Sequence, residues 1–278
     1  MDVIVIPVLL SLVIELKTPG EIDAIDAAGS VVARILTAVR ERAAPGVRPT
    51  ELDALAADLI AEAGAVSSFR GYHPRWAPGP YPGVLCVSVN DAVVHGIPAR
   101  TKLKQGDLLS VDFAVHLDGW CADAAFSMLV SGGSEASMNG SARSTSADEK
   151  LIRTTEAALQ AGIDAAQPGV RMGDVGHAIA QVARGAGYGM LADHGGHGVG
   201  RSMHEEPHVP NESKPRRGLR LQPGLVIAIE PMLHAGGRDS YRHDRDGWTI
   251  RTADGSRAAH AEHTIAITEQ GPRILTLR

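Results

Sequence analysis

Asp112 and Asp123 lie in the stretch VDFAVHLDGWCADAAFS, residues 111–127. Asp118-Gly119 is a turn signal between them, since a type I′ turn needs positive φ at both central positions. With that turn, Leu117 faces Trp120, Val115 faces Ala122 and Asp112 faces Ala125 in a β-hairpin. Side chains alternate between the faces of a strand. Phe113, Val115, Leu117, Trp120, Ala122, Ala124 and Phe126 therefore form an apolar face that should pack on a core, and Asp112, Ala114, His116, Cys121 and Asp123 share the other. The two aspartates become diagonal neighbours, roughly 7 Å apart at Cα. Carboxylates that close repel unless a proton or a cation sits between them. Two divalent ions about 3.5–4 Å apart would fit. The bare spacing is better read as two solvated acids on an exposed face, so the rest of the chain must supply further ligands.

Three other residues qualify. His197 lies in the glycine-rich run HGGHGVGRSMHEEPHVP, residues 194–210, where flanking glycines suit close approach of backbone to a ligand or metal. His204 to His208 matches H-E-x-x-H, but that zinc motif needs a helix, and Pro207 and Pro210 forbid one. Glu230 ends the apolar strand LVIAIE before Pro231, and a carboxylate there is costly to bury unless paired or metal-bound. Glu262 opens the alternating strand EHTIAIT. Asp112, Asp123, His197, Glu230 and Glu262 together carry four negative charges and one imidazole. Two divalent cations balance that set, and oxygen donors with one imidazole suit Mn²⁺, Fe²⁺, Co²⁺ or Zn²⁺ better than Ca²⁺. A dinuclear site makes a bridging water acidic enough to be hydroxide near neutral pH and polarises a carbonyl. That is hydrolytic chemistry.

The elements that must position these residues can be read in order. Thr18-Pro19-Gly20-Glu21 is a capping box opening a helix that Pro45-Gly46 ends, and Thr50 is the expected cap of a second. FRGYHPRWAPGPYP, residues 69–82, reads as an ordered loop lining something. Val84–Val89 is a strand, and His95 follows another. Residues 131–148 are rich in Gly, Ser and Ala and are expected to be a mobile insert. Asp246-Gly247 is a further hairpin turn signal. Residues 1–14 form an apolar stretch without the basic flank of a signal peptide and too short for a membrane span. It is expected to be an irregular extension, or the product of an upstream start codon.

The second half repeats the first. Ala44-Pro45-Gly46-Val47-Arg48 recurs as Gln167-Pro168-Gly169-Val170-Arg171, with helices on both sides each time: Leu151–Ala166 before the second copy and Asp174–Arg184 after it. Leu52, Ala56 and Leu59 align with Val175, Ile179 and Val182. Two similar halves that cannot bury their sheets separately imply one pseudo-symmetric domain over residues 15–278. The 44% apolar content is enough for its core, and a net charge of −5 gives no reason to expect nucleic-acid binding. Two cysteines without a disulfide framework fit a reduced, cytoplasmic compartment.

VSVNDAVVHGIP, SVDFAVHLDGWCADAAFS, GHGVGRSMHEEP, IAIEPM and AEHTIAIT occur in that order, and the chain resembles the type I methionine aminopeptidases from Lys17 to its closing residues. The resemblance implies an α+β pita-bread fold, in which two halves surround a curved, mainly antiparallel sheet with helices on its outer face and two metals in a central cleft. Carried over, Asp123 and Glu262 bridge the ions, His197 and Glu230 complete one shell, and Asp112 the other. His95 and His204 position substrate and stabilise the oxyanion, and Glu230 moves the proton from water to the leaving amine. The implied activity is removal of the initiator methionine from peptides and nascent chains with a small second residue. A monomer that needs no membrane and acts near the ribosome is the accompanying expectation.

Tyr72, Tyr81, Cys86 and Trp248 match methionine-pocket positions. Met203 stands where relatives have phenylalanine, Phe69 where they often have cysteine, and His260 where a glutamine is common. Residues 74–80 add length to a usually compact loop. These departures bear on side-chain and metal preference. Proline-specific aminopeptidases and dipeptidases share the fold and ligand set, but usually carry a further N-terminal domain and lack the Tyr72/Cys86/Trp248 pocket. A catalytically silent binding protein on the same fold would typically have lost ligands, and none of the five is lost.

Overall fold

A computed structural model describes residues 14–132 and 142–277. In chain order these form α1 (Pro19–Arg42), α2 (Pro49–Glu62), β1 (Val66–Ser67), β2 (Cys86–Val89), β3 (Ala92–Val94), β4 (Leu108–Leu117), β5 (Trp120–Leu129), α3 (Ala142–Ala165), α4 (Met172–Gly185), β6 (Gly189–Met190), β7 (Gly195–Gly198), β8 (Glu205–Pro210), β9 (Val226–Ile229), β10 (Met232–His234), β11 (Tyr241–His243), β12 (Ile250–Thr252), β13 (Ala258–His260), β14 (Glu262–Thr268) and β15 (Gly271–Ile274). The main sheet runs β1-β4-β5-β14-β9-β7-β8, with β2 also beside β4 and β15 beside β14. Its pairings are antiparallel. Two small sheets, β13-β10-β6 and β11-β12-β3, complete the walls.

The β4–β5 hairpin has the expected register: Leu117 pairs with Trp120, Val115 with Ala122 and Asp112 with Ala125. Asp118 and Gly119 take φ of 50° and 79°, the signature of the type I′ turn. The apolar face packs under α1 and α2, whose Ile25, Val32, Ile35 and Leu52 are fully buried with Phe113, Val115 and Ala122. A second core joins α3 and α4 to β9 and β14 through Leu151, Ile179, Ile227 and Ile265. Among the described residues no helix is long and apolar enough to cross a membrane.

The repeat is structural. Gly46 and Gly169 take φ of 91° and 90°. The Gly46 N–H donates to Leu103 O and the Leu103 N–H to Val47 O; the Gly169 N–H donates to Leu221 O and the Leu221 N–H to Val170 O. Three expectations need correction. Thr50 does not cap α2. Pro49 takes the first helical position, for which its fixed φ suits it, and Glu51 reaches back to the Arg48 N–H at 2.8 Å. Asp174 does the same for Arg171 at the start of α4. α1 ends at Arg42, before Pro45-Gly46. The segment 131–148 is not wholly an irregular insert, because α3 begins at Ala142 and buried Asp148 is tied to Arg257 at 2.7 Å. Composition hid this helix, since the ion pair holding it is distant in sequence; residues 133–141 lie outside the described residues. Asp246-Gly247 does lie in a hairpin connection, residues 244–249 between the antiparallel β11 and β12, where Asp246 accepts from the Trp248 and Thr249 N–H groups.

Candidate metal centre and substrate cleft

Four adjacent strands lay down a row of side chains. Cys86 on β2 pairs with Asp112 on β4, Asp112 with Ala125 on β5, and Ala125 with Glu262 on β14. Directly paired residues share a face, so Asp112 and Glu262 look across Ala125 from two strand spacings, about 10 Å at Cα. Asp123, two residues from Ala125, points to the same face. Thr264 fixes this register: its Oγ1 donates to Asp123 O at 2.8 Å and accepts from the Asp123 N–H at 3.0 Å. The methyl group of Ala125 leaves the space between the carboxylates open. The sequence places Ala125 opposite Asp112 but does not single out Thr264, and only the β5–β14 pairing puts both at the centre.

His197 and Glu230 come from the other side. β7 can lie against β8 and β9 because it is glycine-rich: a Cβ at Gly196 would run into Ala228 O, and one at Gly198 into Glu206 O. The His197 Nδ1 lies 3.0 Å from Gly198 O. A proton on that nitrogen donates to the carbonyl and leaves Nε2 as a bare acceptor, the tautomer a metal needs. Nε2 faces Asp123 Oδ2 at 3.9 Å and Glu230 Oε1 at 3.8 Å. Glu230 is held at the end of β9 by buried Asn211, whose Nδ2 donates to Glu230 O and His194 O; sequence reading missed it as well. On its other side, His260 Nε2 lies 3.7 Å from Glu230 Oε2.

Burial, then the charges of Asp123 and Glu230, push the Asp112 carboxyl well up. Burial likewise raises Asp123 to about 7. Glu230 and Glu262 rise well above their ordinary range through burial and then the Asp123 charge. Burial holds His197 and His260 down to about 3 and His95 to about 4, so these rings are neutral near pH 7. No Lys or Arg is among the described residues lining the cleft. Asp112 Oδ1 and Asp123 Oδ1 are buried without a hydrogen-bond partner, although such groups normally have one. Asp123, His197 and Glu262 each offer a ligand atom, all within 4.8 Å of one another. Four carboxylates, an imidazole acceptor and orphaned oxygens fit divalent cations.

The cleft encloses about 1090 Å³. Phe69, Tyr81, Cys86, Met203 and Trp248 form a closed apolar end and are all buried. Tyr81 is pinned by its hydroxyl, which donates to Leu85 O and Gly96 O, and its ring meets Trp248 edge-on with centroids 5.0 Å apart. Tyr72 differs: it is 36% exposed, and its hydroxyl lies 3.1 Å from His204 Nδ1 at the mouth. His204 is exposed to the cleft, with its ring centroid 4.4 Å from that of His197. It precedes strand β8, not a helix, so the H-E-x-x-H match is no zinc helix. His95 follows β3 with φ of 58°, and its buried Nδ1 has no partner in the protein. All the residues singled out from the sequence thus border one cleft, except His260, which is buried behind Glu230.

The profile of metallopeptidase family M24 matches residues 23–269. A methionine aminopeptidase 1 of Mycobacterium tuberculosis is 47% identical over 272 residues, covering 95% of this chain and 96% of the relative. The crystal structure of a methionine aminopeptidase from Thermotoga maritima superposes with a TM-score of 0.86 at 38% identity, covering 96% of this chain and all of that one. A prolidase from Pyrococcus furiosus gives a TM-score of 0.69 at 22% identity, with 95% of this chain and 65% of that chain covered, a likeness of fold.

Proposed function

The chain belongs to metallopeptidase family M24, and from that premise we propose that it is a methionine aminopeptidase. It removes the N-terminal methionine from peptides and nascent chains whose second residue is small. The observation that carries this is the adjacency of two chemistries: the row running from Cys86 to Asp112 to Glu262 joins a closed apolar pocket directly to the carboxylate cluster. A methionine side chain is flexible, apolar and polarisable, and suits an aromatic- and sulfur-lined pocket.

Asp123 and Glu262 would bridge two divalent ions (Mn, Fe, Co or Zn), with His197 and Glu230 on one and Asp112 on the other. The ions, when bound, supply a nucleophile at neutral pH and polarise the scissile carbonyl. The protein does the rest. Tyr81, Cys86, Trp248 and Met203 hold the methionine side chain and exclude water. His95 and His204, with Tyr72 orienting the latter, donate to the substrate carbonyl as negative charge grows on its oxygen. Glu230 takes the proton from the attacking water and passes it to the leaving amine. Residues 15–278 act as one catalytic domain in this reading, as a cytoplasmic monomer working close to the ribosome.

The test is methionine release from Met-Ala-Ser, beside cleavage of an Ala-Pro peptide, by protein stripped with chelator and reconstituted with each metal. Methionine release that returns only with metal supports the reading. Full turnover by protein shown by elemental analysis to be metal-free, or a preference for Ala-Pro, overturns it.

A further inference from the structure

The lengthened loop at residues 74–80 carries a tryptophan whose position the catalytic reading leaves unused. Trp76 is 57% exposed, although it lines the cleft. Exposed tryptophans are uncommon, and where they cluster they mark contact surfaces. One side of the indole meets Trp248 edge-on at 5.0 Å between centroids, and another lies nearly parallel to His95 at 6.3 Å. It therefore stands between Trp248, in the wall of the apolar pocket, and His95, which lines the cleft.

The loop is built as a platform. Its base is closed by the Tyr81 N–H donating to Tyr72 O and the Gly71 N–H donating to Tyr81 O. Its tip turns on the Ala77 N–H donating to Pro74 O, with Ala77 buried. Pro78 then seats against Gly247, where no side chain could be accommodated: a Cβ at 247 would come within 2.5 Å of the Pro78 ring. Trp76 is thus held over the mouth by contacts at both ends of the loop.

We propose that Trp76 is a substrate-binding residue that receives the peptide segment immediately following the methionine. This rests on the aminopeptidase reading. The methionine side chain belongs at the closed end, where Phe69, Tyr81, Cys86 and Trp248 are each 7% exposed or less. The polypeptide beyond the scissile bond has to leave through the mouth past His95, where the exposed Trp76 borders the cleft. An aromatic face there gives affinity with little dependence on sequence, as substrates that share only a methionine and a small second residue require.

The test compares Trp76→Ala and Trp76→Phe with the wild type, metal-loaded, on Met-Ala-Ser and on methioninamide, which has no second residue. Trp76→Ala is expected to raise KM for Met-Ala-Ser about five- to tenfold, the size of one well-placed aromatic contact. Its kcat should stay within about twofold and both constants for methioninamide should be unchanged, with Trp76→Phe recovering most of the KM. Equal losses on both substrates would make Trp76 a wall of the methionine pocket and overturn the inference, as would no change on either. A wild type that releases methionine from neither substrate would instead remove the aminopeptidase reading, and this inference with it.

Discussion

Metal binding should expel protons from the carboxylate cluster. Asp123 titrates near 7 in the metal-free protein, and Asp112, Glu230 and Glu262 well above their ordinary range. At pH 6 the metal-free folded protein therefore holds protons on the cluster, whereas solvated carboxylates with pKa about 4 would hold almost none. The imidazole of His197 is already neutral there, held down to about 3, so it contributes no proton. Ligation requires carboxylates. Filling both sites at pH 6 should then release at least about one proton, the one that Asp123 holds there. The sign is fixed: affinity rises with pH while the cluster is protonated and levels off once it is ionised. Calorimetric titration with Mn²⁺ or Co²⁺ in buffers of different ionisation enthalpy reads the proton number directly. A release below about one proton would mean that the carboxylates are solvated and independent, and the buried-cluster argument would be wrong.

Three further outcomes follow. Asp123→Ala should lose both ions, because Asp123 faces the other ligands from the centre of the group, whereas Asp112→Ala should lose mainly one; equal stoichiometries by calorimetry would disprove the bridging assignment. His204→Ala should lower kcat by about 10²–10³, the worth of one donor to a developing oxyanion, with bound metal unchanged by elemental analysis. A parallel fall in metal would make His204 a ligand instead. Ala125→Leu should empty the site without unfolding the chain, since its side chain would enter the gap between Asp112 and Glu262; a variant that still binds two ions would show that the gap is not the site.

The parts legible in the sequence were those set by local chemistry. Asp118-Gly119 dictated a hairpin register that put Asp112 opposite Ala125, and Pro207 with Pro210 excluded a zinc helix at His204. What could not be read were partners brought in from far along the chain. One local feature was missed too: Arg48 looks a poor cap beside Thr50 until Pro49 is seen to claim the first helical position and Glu51 the Arg48 N–H. Asp148 looks like part of a loose polar stretch until Arg257 reaches it. Trp76 was one aromatic among several in an irregular loop until Gly247 proved to be the seat of Pro78.

The duplicated frame explains which side chains meet at the candidate site. Gly106 and Gly224, both with positive φ, play equivalent parts: the Gly106 N–H donates to Val130 O and the Val130 N–H to Asp107 O, while the Gly224 N–H donates to Ile267 O and the Ile267 N–H to Leu225 O. Counting from those glycines, Asp112 and Glu230 are counterparts, one carboxylate from each half. Counting back from Val130 and Ile267, Ala125 corresponds to Glu262, and Asp123 to His260. Ala125 and Glu262 are also directly paired across the β5–β14 seam, as residues beside a local two-fold axis must be. His260 therefore stands to Glu230 as Asp123 stands to Asp112, which accounts for its Nε2 lying 3.7 Å from Glu230 Oε2. The same two positions carry an acid and a small residue in one half, and an imidazole and an acid in the other. A fully symmetric filling with acids would crowd further charge around the cluster, and one with Ala125 and His260 types would leave too few ligands. The mixed filling yields four carboxylates, an uncrowded gap over Ala125 and a neutral ring behind Glu230, a balance that two divalent cations neutralise.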